Sequence, residues 1–188
     1  MITLEFLKNY DYETLTYTIL MIIIGLWFIK TRNSFVVLQS EAKVSYGDIY
    51  NTLKKKYDLL DSLINVINKQ MAYEKEVHTS IATLRSGFKV SEQSLDITAR
   101  KIYAVREQYP VLGSNTEFTR LSVQVSDIEN EINAKKDFYN ACANVYNIAI
   151  SKFPQNIVAN LCGYEKIKIF QYSEKELIDI TERKIVKF

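Results

Sequence analysis

Glu74 and His78 are the two side chains whose types and spacing come nearest to a metal site. A carboxylate and an imidazole four residues apart share one face of a helix, and both bind divalent cations. Helical bundles that bind two metal ions use several inward glutamates and Glu-x-x-His motifs, whereas this chain has one histidine. We therefore expect His78 to pack on a helix seam, and metal binding with the acids near Glu129 is the alternative.

Cys142 and Cys162 fit neither a disulfide framework nor a zinc pattern, since no CxxC pair is present. We expect both to be free thiols in a reducing compartment. Cys142 falls on an apolar helix seam, and a nucleophilic cysteine would need a base nearby. No glycine-rich turn that could cradle a phosphate occurs. The sequence therefore predicts a protein that is not an enzyme and has no cofactor.

Three consecutive lysines, Lys54 to Lys56, could bind anionic lipid or RNA. The alternative, which we favour, is a solvated helix face beside an apolar seam. The whole chain has 24 basic and 22 acidic side chains, so it lacks the strong positive field of nucleic-acid-binding proteins. We expect no nucleic-acid partner.

An uncharged segment extends from Thr14 to Ile29, and Lys30 ends it. Sixteen residues of helix are roughly 24 Å long, slightly short of a bilayer core, and Lys30 can snorkel to the headgroups. Tyr17 and Trp27 lie where interfacial aromatic residues are typical. We predict one membrane span, whose apolar centre is Ile19, Leu20, Met21, Ile22, Ile23, Ile24, Gly25, Leu26, Trp27, Phe28 and Ile29.

Two other structures share this apolar pattern: a cleaved signal peptide and the core helix of a soluble protein. Acidic residues such as Glu5 and Glu13 precede the segment where a signal peptide is basic. Lys30, Arg32 and Lys43 follow it, which predicts that this side is cytoplasmic and that the N-terminus is outside. We expect a cytoplasmic-membrane protein with the bilayer as one partner.

The rest of the chain shows helical periodicity and few breaks, with 5 glycines and 2 prolines. One apolar seam extends from Leu53 to Ile81, and a second from Phe118 to Phe153, which Thr116 can cap and Pro154 ends. A shorter helix with Leu95 to Val105 lies between them. The fold class is therefore all-α: a single N-terminal transmembrane helix followed by an antiparallel bundle of long helices.

These patterns divide the chain into five segments. They are a short exterior N-terminus (1–13), the transmembrane helix (14–30), a helical connector (31–52), the bundle (53–163) and a charged tail (164–188). Gly47 and nearby serines predict a soft point in the connector. We expect the tail to be partly ordered, with a short helix from Glu174 to Glu182.

Short motifs in this order resemble the LemA family over nearly the whole chain. They are Arg32–Leu38, Ser45–Ile49, Leu53–Leu60, Arg85, Tyr109–Asn115, Glu129–Ile132, Phe138–Asn140, Val145–Asn147 and Phe153–Asn156. Tyr46 stands where a tryptophan is usual, Asp61 and Ser62 replace Pro-Asn, and Tyr73 replaces a histidine. Those departures put a ligand role for that histidine in doubt.

The resemblance implies a membrane-anchored, antiparallel helical bundle of bacterial type without enzymatic activity. One branch of the family is linked to magnetosome membranes, which implies organising membranes or partners. The interaction candidates taken from the matching motifs are Lys55, Lys56, Tyr57, Asp58, Arg85, Tyr109, Pro110, Asn115, Glu129, Asn130, Tyr139, Asn140, Tyr146, Asn147, Phe153 and Pro154.

A polar set among these helices could either fix helix register or contact a second subunit, and we favour register. Its members are Asn140, Asn147, Asn156, Asp58, Arg85, Glu129 and Lys135. Three functions stay open. The first is a scaffold that self-associates as a homo-oligomer or organises an unidentified protein partner. The second is an envelope signalling or stress-response subunit, and the third is a bundle that binds a metal or other ligand.

Overall fold

The computed structural model describes residues 2–71, 82, 84–85 and 88–170, with the backbone alone for 2–11. Several sequence predictions fall outside these residues. They concern the metal alternative at Glu74 and His78, the replaced histidine position Tyr73, the end of the first seam at Ile81 and the tail helix from Glu174 to Glu182.

The described residues form five helices and no strand, so the all-α class is confirmed. The helices are α1 (Ile2–Gln70), α2 (Glu92–Gln108), α3 (Pro110–Gly113), α4 (Thr116–Ser151) and α5 (Gln155–Cys162).

Helix α1 continues without a break through Gly47. A glycine in a helix costs about 1 kcal/mol relative to alanine. Here its neighbours Ser45 and Ile49 are buried, and their packing holds the backbone in the helix. The helical connector that we expected is present, and the soft point at Gly47 stays a prediction.

The helix ends follow local hydrogen-bonding rules. Asn115 caps α4, because its Oδ1 accepts a hydrogen bond from the backbone N–H of Phe118 at 2.9 Å. The prediction that Thr116 is the cap is wrong by one residue, since Thr116 is already helical. Helix α4 ends at Ser151, before Pro154, and α5 ends at Gly163, whose φ of 72° favours glycine.

The chain divides into two compact units, which we call the central unit (44–139) and the terminal unit (1–43 and 140–188). In the central unit α1 and α4 are antiparallel. Asn115 donates a hydrogen bond to Gln70 at 2.6 Å, whereas Tyr139, near the other end of this stretch, meets Tyr46 with ring centroids 5.7 Å apart. The predicted antiparallel bundle is confirmed.

The core of the central unit is one cluster of buried apolar side chains from α1 to α4. Its members are Leu60, Leu63, Ile64, Val66, Ile67, Met71, Leu84, Leu95, Ala99, Ile102, Val105, Leu112, Phe118, Leu121 and Val125. Most lie on the seams that the sequence predicted. Burial of such side chains stabilises the fold by about 1.5–3 kcal/mol each.

The terminal unit has its own smaller cluster. Phe35 of α1 packs with Tyr146 and Ile150 of α4 and with Val158 and Ala159 of α5. Tyr164 meets Phe35 edge to face, with ring centroids 5.3 Å apart.

The apolar segment of α1 is exposed instead of packed. Among the described residues, one helix is long and apolar enough to cross a membrane. It lies within Tyr12–Gln70, and 6% of its most apolar stretch is buried. Residues such as Leu20 and Ile22 have no covering from the described part of the chain. This exposure argues against the core helix of a soluble protein, in which the apolar face would be covered.

Candidate functional site

Lys56 occupies the interior of the central unit, with 3% of its side chain exposed. Its Nζ lies 2.6 Å from Oδ1 of Asp96 in α2 and 3.1 Å from Oε1 of Glu129 in α4. The expectation of a solvated lysine face is correct for Lys54 and Lys55, which are exposed, and wrong for Lys56. One lysine of α1 thus joins two further helices.

The position of Lys56 on the helix explains its burial. Buried positions of α1 recur at Ile49, Thr52, Lys56, Leu60 and Leu63, spaced by three or four residues. Continuing the seam backwards from Leu60 would have placed Lys56 on it. The predicted seam passes through the apolar residues Leu53 and Tyr57, which are partly buried, and therefore does not include Lys56.

The electrostatics of this lysine rule out its use as a nucleophile. Burial lowers the pKa of Lys56, but the hydrogen bond to Asp96 and the charges of Glu129 and Asp96 outweigh burial and raise it above its ordinary value of 10.5. Lys56 therefore stays protonated at neutral pH, and a protonated amine cannot attack a carbonyl. The arrangement supplies a fixed charge between helices.

Two further lysines extend this polar cluster along α4. Lys135 donates a hydrogen bond to the Thr52 hydroxyl at 2.8 Å and pairs with Glu131 at 2.9 Å. The hydrogen bond from Lys135 lowers the pKa of Glu131. Lys136, buried, pairs with Glu92 of α2. Sequence analysis did not single out Lys136, Glu92 or Asp96.

The acids of this cluster stay partly hydrated. Asp96 and Glu129 are 41% and 44% exposed. Ion pairs of this kind add little net stability, because desolvation of the lysine offsets much of the attraction, but they fix which residues face each other. The register role that we favoured for Glu129 and Lys135 therefore agrees with this geometry.

Other candidates of the central unit stand apart from the cluster. Tyr57 stacks on Phe88 with centroids 4.1 Å apart, and Arg85 donates to Oδ1 of Asn65 at 2.9 Å. The remaining candidates lie elsewhere in the unit. Asp58 and Asn130 are exposed. Tyr109, which precedes α3, is partly buried, and Pro110, the first residue of α3, is exposed.

In the terminal unit, Asn140 and Asn147 of α4 bind an extended segment, residues 164–170. The side-chain amide of Asn147 accepts from the backbone N–H of Ile167 and donates to its carbonyl, both at 2.8 Å. Asn140 makes the same pair of hydrogen bonds with Phe170, at 2.8 and 3.0 Å. The Tyr146 hydroxyl donates to the carbonyl of Glu165 at 3.1 Å.

The spacing of the two asparagines matches the spacing of their partners. Seven residues of helix advance about 10.5 Å, and three residues of extended chain span about 10 Å. Each amide acts as a peptide group would in a neighbouring strand, with one donor and one acceptor. Asn140 and Asn147 therefore hold the chain after α5 by its backbone alone.

Phe153 and Pro154 belong to neither polar group. Both are exposed at the turn between α4 and α5, and Pro154 caps α5.

Among the residues that the structure describes, no three His, Cys, Asp or Glu side chains lie close enough to share a metal ion. Cys142 is partly buried, and Cys162 is exposed.

These features define an all-α protein with one candidate membrane-spanning helix, and sequence comparison gives its family. The model of the LemA family matches residues 45–188, which include both asparagines and all members of the lysine cluster. The chain belongs to the LemA family.

The relatives differ in how much of the chain they match. Protein LemA of Metamycoplasma hominis is 32% identical over 165 residues, covering 81% of this chain and 74% of that protein. Magnetosome protein MamQ 2 of Paramagnetospirillum magneticum is 34% identical over 71 residues, and MamQ of Magnetospirillum gryphiswaldense is 31% identical over 70. The match to these magnetosome proteins spans 26% of their length.

Proposed function

We propose that this protein is a non-enzymatic, membrane-anchored helical scaffold that self-associates or organises protein partners at the bacterial cytoplasmic membrane. The observation that carries the proposal is the apolar surface left uncovered on its long helices. On α4, the neighbouring side chains Val145 and Ile148 are 53% and 55% exposed. Apolar side chains grouped on one face of a helix are typical of a surface that another protein covers.

The anchoring part of the proposal is supported by the exposed apolar segment of α1. Its side chains from Leu15 to Leu26 would contact water in the absence of lipid. An uncharged helix satisfies its backbone hydrogen bonds internally, so it can enter the hydrocarbon layer. The bilayer is the partner that covers it.

The basic residues after this segment orient the chain. Lys30, Arg32 and Lys43 favour a cytoplasmic position for everything that follows, with residues 1–13 outside. The exposed thiol of Cys162 provides the measurement. A membrane-impermeant maleimide should label Cys162 in lysed cells and leave it unlabelled in intact ones, with Cys142→Ala as the background. Equal labelling of intact and lysed cells would reverse the orientation.

The non-enzymatic part is supported by the use of polar side chains within each unit. The buried lysine stays protonated and paired, and the two asparagines are occupied by backbone groups. Such groups hold parts of the fold together, which supports a structural role for them.

The self-association test uses the neighbouring pair on α4. Full-length protein in detergent, measured by light scattering, should be an oligomer, and the double variant Val145→Glu, Ile148→Glu should be smaller. The control places the same two charges at exposed polar positions of α4, Gln124→Glu and Asn133→Glu, and should keep the native mass. A monomeric native protein that also retains no partner after crosslinking in membranes would overturn the scaffold.

An unbroken α1 favours one second candidate, a signalling subunit. A continuous helix from Ile2 to Gln70 could transmit a displacement from outside the membrane to the bundle. Replacing residues 1–13 with an unrelated uncharged peptide should then abolish the envelope-stress response. An unchanged response would leave the scaffold as the function.

A further inference from the structure

Helix α5 of the terminal unit has two apolar faces, and the described part of the chain covers one of them. Val158 and Ala159 are buried against Phe35 and Tyr146. On the other side, Ile157 and Leu161 are one turn apart and are 57% and 76% exposed.

Phe153, in the turn that precedes α5, is also exposed, at 74%. We call Phe153, Ile157 and Leu161 the α5 apolar row. An amphipathic helix whose covered face is already packed has no intramolecular reason for a second apolar face. The described part of the chain leaves this row exposed, which is consistent with a surface outside the chain that covers it.

The position of α5 along α1 identifies that covering. The cluster that buries Val158 and Ala159 also contacts Phe28, which lies in the last turn of the uncharged segment. Thr31, one turn further, is buried. Helix α5 therefore lies beside α1 at the level where the uncharged segment ends, which is the level of the lipid headgroups if that segment spans a bilayer.

The charges near this level fit a lipid surface. Lys30 and Arg32 follow the span on α1, and Lys152 immediately precedes Phe153; all three are exposed. Interfacial helices place apolar side chains at the boundary of headgroups and acyl chains, with basic residues beside anionic phosphates. A protein partner at this depth would have to displace lipid from the same surface.

We infer that α5 is a second membrane contact, with Phe153, Ile157 and Leu161 inserted at the headgroup boundary of the bilayer that α1 spans. The inference rests on the anchoring that we propose above. Two contacts on one side of the membrane fix the tilt of the terminal unit. The apolar surfaces of that unit then have a defined orientation relative to the bilayer plane, as a scaffold that assembles along a membrane requires.

Depth-dependent fluorescence quenching tests this inference with the full-length chain. Trp27, the sole tryptophan, reports on the span in the native protein. Two further proteins carry Trp27→Phe together with either Leu161→Trp or Ile169→Trp. Ile169 is the control position, because it is also an exposed apolar residue of the terminal unit. It is next to Phe170, whose backbone is hydrogen-bonded to Asn140. Asn140 is about two turns of α4 away from Asn147. The vesicles contain phosphatidylcholine and phosphatidylglycerol with bromine on the acyl chains near the headgroup.

The expected result is a loss of emission at position 161 similar to that of Trp27, with almost none at position 169. If Trp27 is quenched but a tryptophan at position 161 is quenched no more than one at position 169, the second contact would be overturned and the anchor would remain. If iodide in the buffer also failed to quench position 161, a protein would be covering the row. Unquenched Trp27 would overturn the anchor itself. Circular dichroism checks that both variants keep the native helix content.

Discussion

In the central unit, helices meet through a large apolar cluster with ion pairs beside it, whereas in the terminal unit two asparagines bind an extended segment by its backbone. Contacts of the first kind depend on which side chains face each other. Contacts of the second kind require only that residues 164–170 be extended. The comparison teaches that the polar contacts of the two units place different demands on sequence. They are strict in the central unit and permissive along residues 164–170, where Tyr164 and Ile167 still pack on the terminal cluster.

Stability should follow the same division. In the described part of the chain, the central cluster contains fifteen buried residues and the terminal cluster five. Because hydrophobic burial is the main favourable term in folding, the central unit should carry most of the free energy of unfolding.

The largest expected effect comes from truncating a buried aromatic residue of the central cluster. Phe118→Ala should lower the free energy of unfolding by about 3–5 kcal/mol, because it removes a fully buried ring and leaves a cavity. Guanidinium unfolding of the detergent-solubilised protein, followed by circular dichroism, measures it. The control, Phe138→Ala, makes the same change at a residue of α4 that is 64% exposed, and should shift stability by about 0.5 kcal/mol or less. Equal losses would mean that the cluster is not the core.

The next effect concerns the buried charge of the same unit. Lys56→Ala removes a packed side-chain stem and the contacts to Asp96 and Glu129, and should cost about 2–3 kcal/mol in the same unfolding measurement. Lys55→Ala changes an exposed neighbour and should cost about 0.5 kcal/mol or less. Should the two variants unfold alike, Lys56 would be solvated in solution and the three-helix contact would not exist.

A smaller and local effect is expected in the terminal unit. Asn147→Ala removes two hydrogen bonds to Ile167 and should weaken attachment of the segment by about 1–2 kcal/mol. Hydrogen exchange should speed up in peptides covering residues 164–170 and stay unchanged in peptides of the central cluster. Asn144→Ala, at an exposed asparagine of the same helix, is the control. Faster exchange in the central unit as well would show that the units do not respond separately.

The helices and the apolar seams could be predicted from the sequence because periodic burial leaves a direct pattern. Lys56 could not be found by counting apolar residues, since it occupies a seam position with a charged head. Its partners Asp96 and Glu129 are 40 and 73 residues further along the chain, so only the folded register brings them together.

The asparagines illustrate a different limit. We predicted that Asn140 and Asn147 fix helix register, but their partners are backbone groups of Phe170 and Ile167, which any residue except proline would supply. The first residues of the charged tail, 164–170, are therefore bound although no residue pattern predicts it. A backbone partner leaves no mark in residue type.

The smallest expected effect is a pH dependence that tests the buried charge of the central unit. Attraction from Asp96 and Glu129 outweighs burial and raises the pKa of Lys56, and burial raises that of Tyr103. The folded state then holds protons that the unfolded state releases above about pH 10, so stability is full at neutral pH and falls as pH rises through this range. Guanidinium unfolding at about pH 8 and about pH 11 measures the fall. Lys56→Met should lose less stability between these values than the native protein, whereas Lys55→Met should lose as much. If all three lose the same amount, the buried lysine does not hold its proton and the ion-paired centre of the unit is wrong.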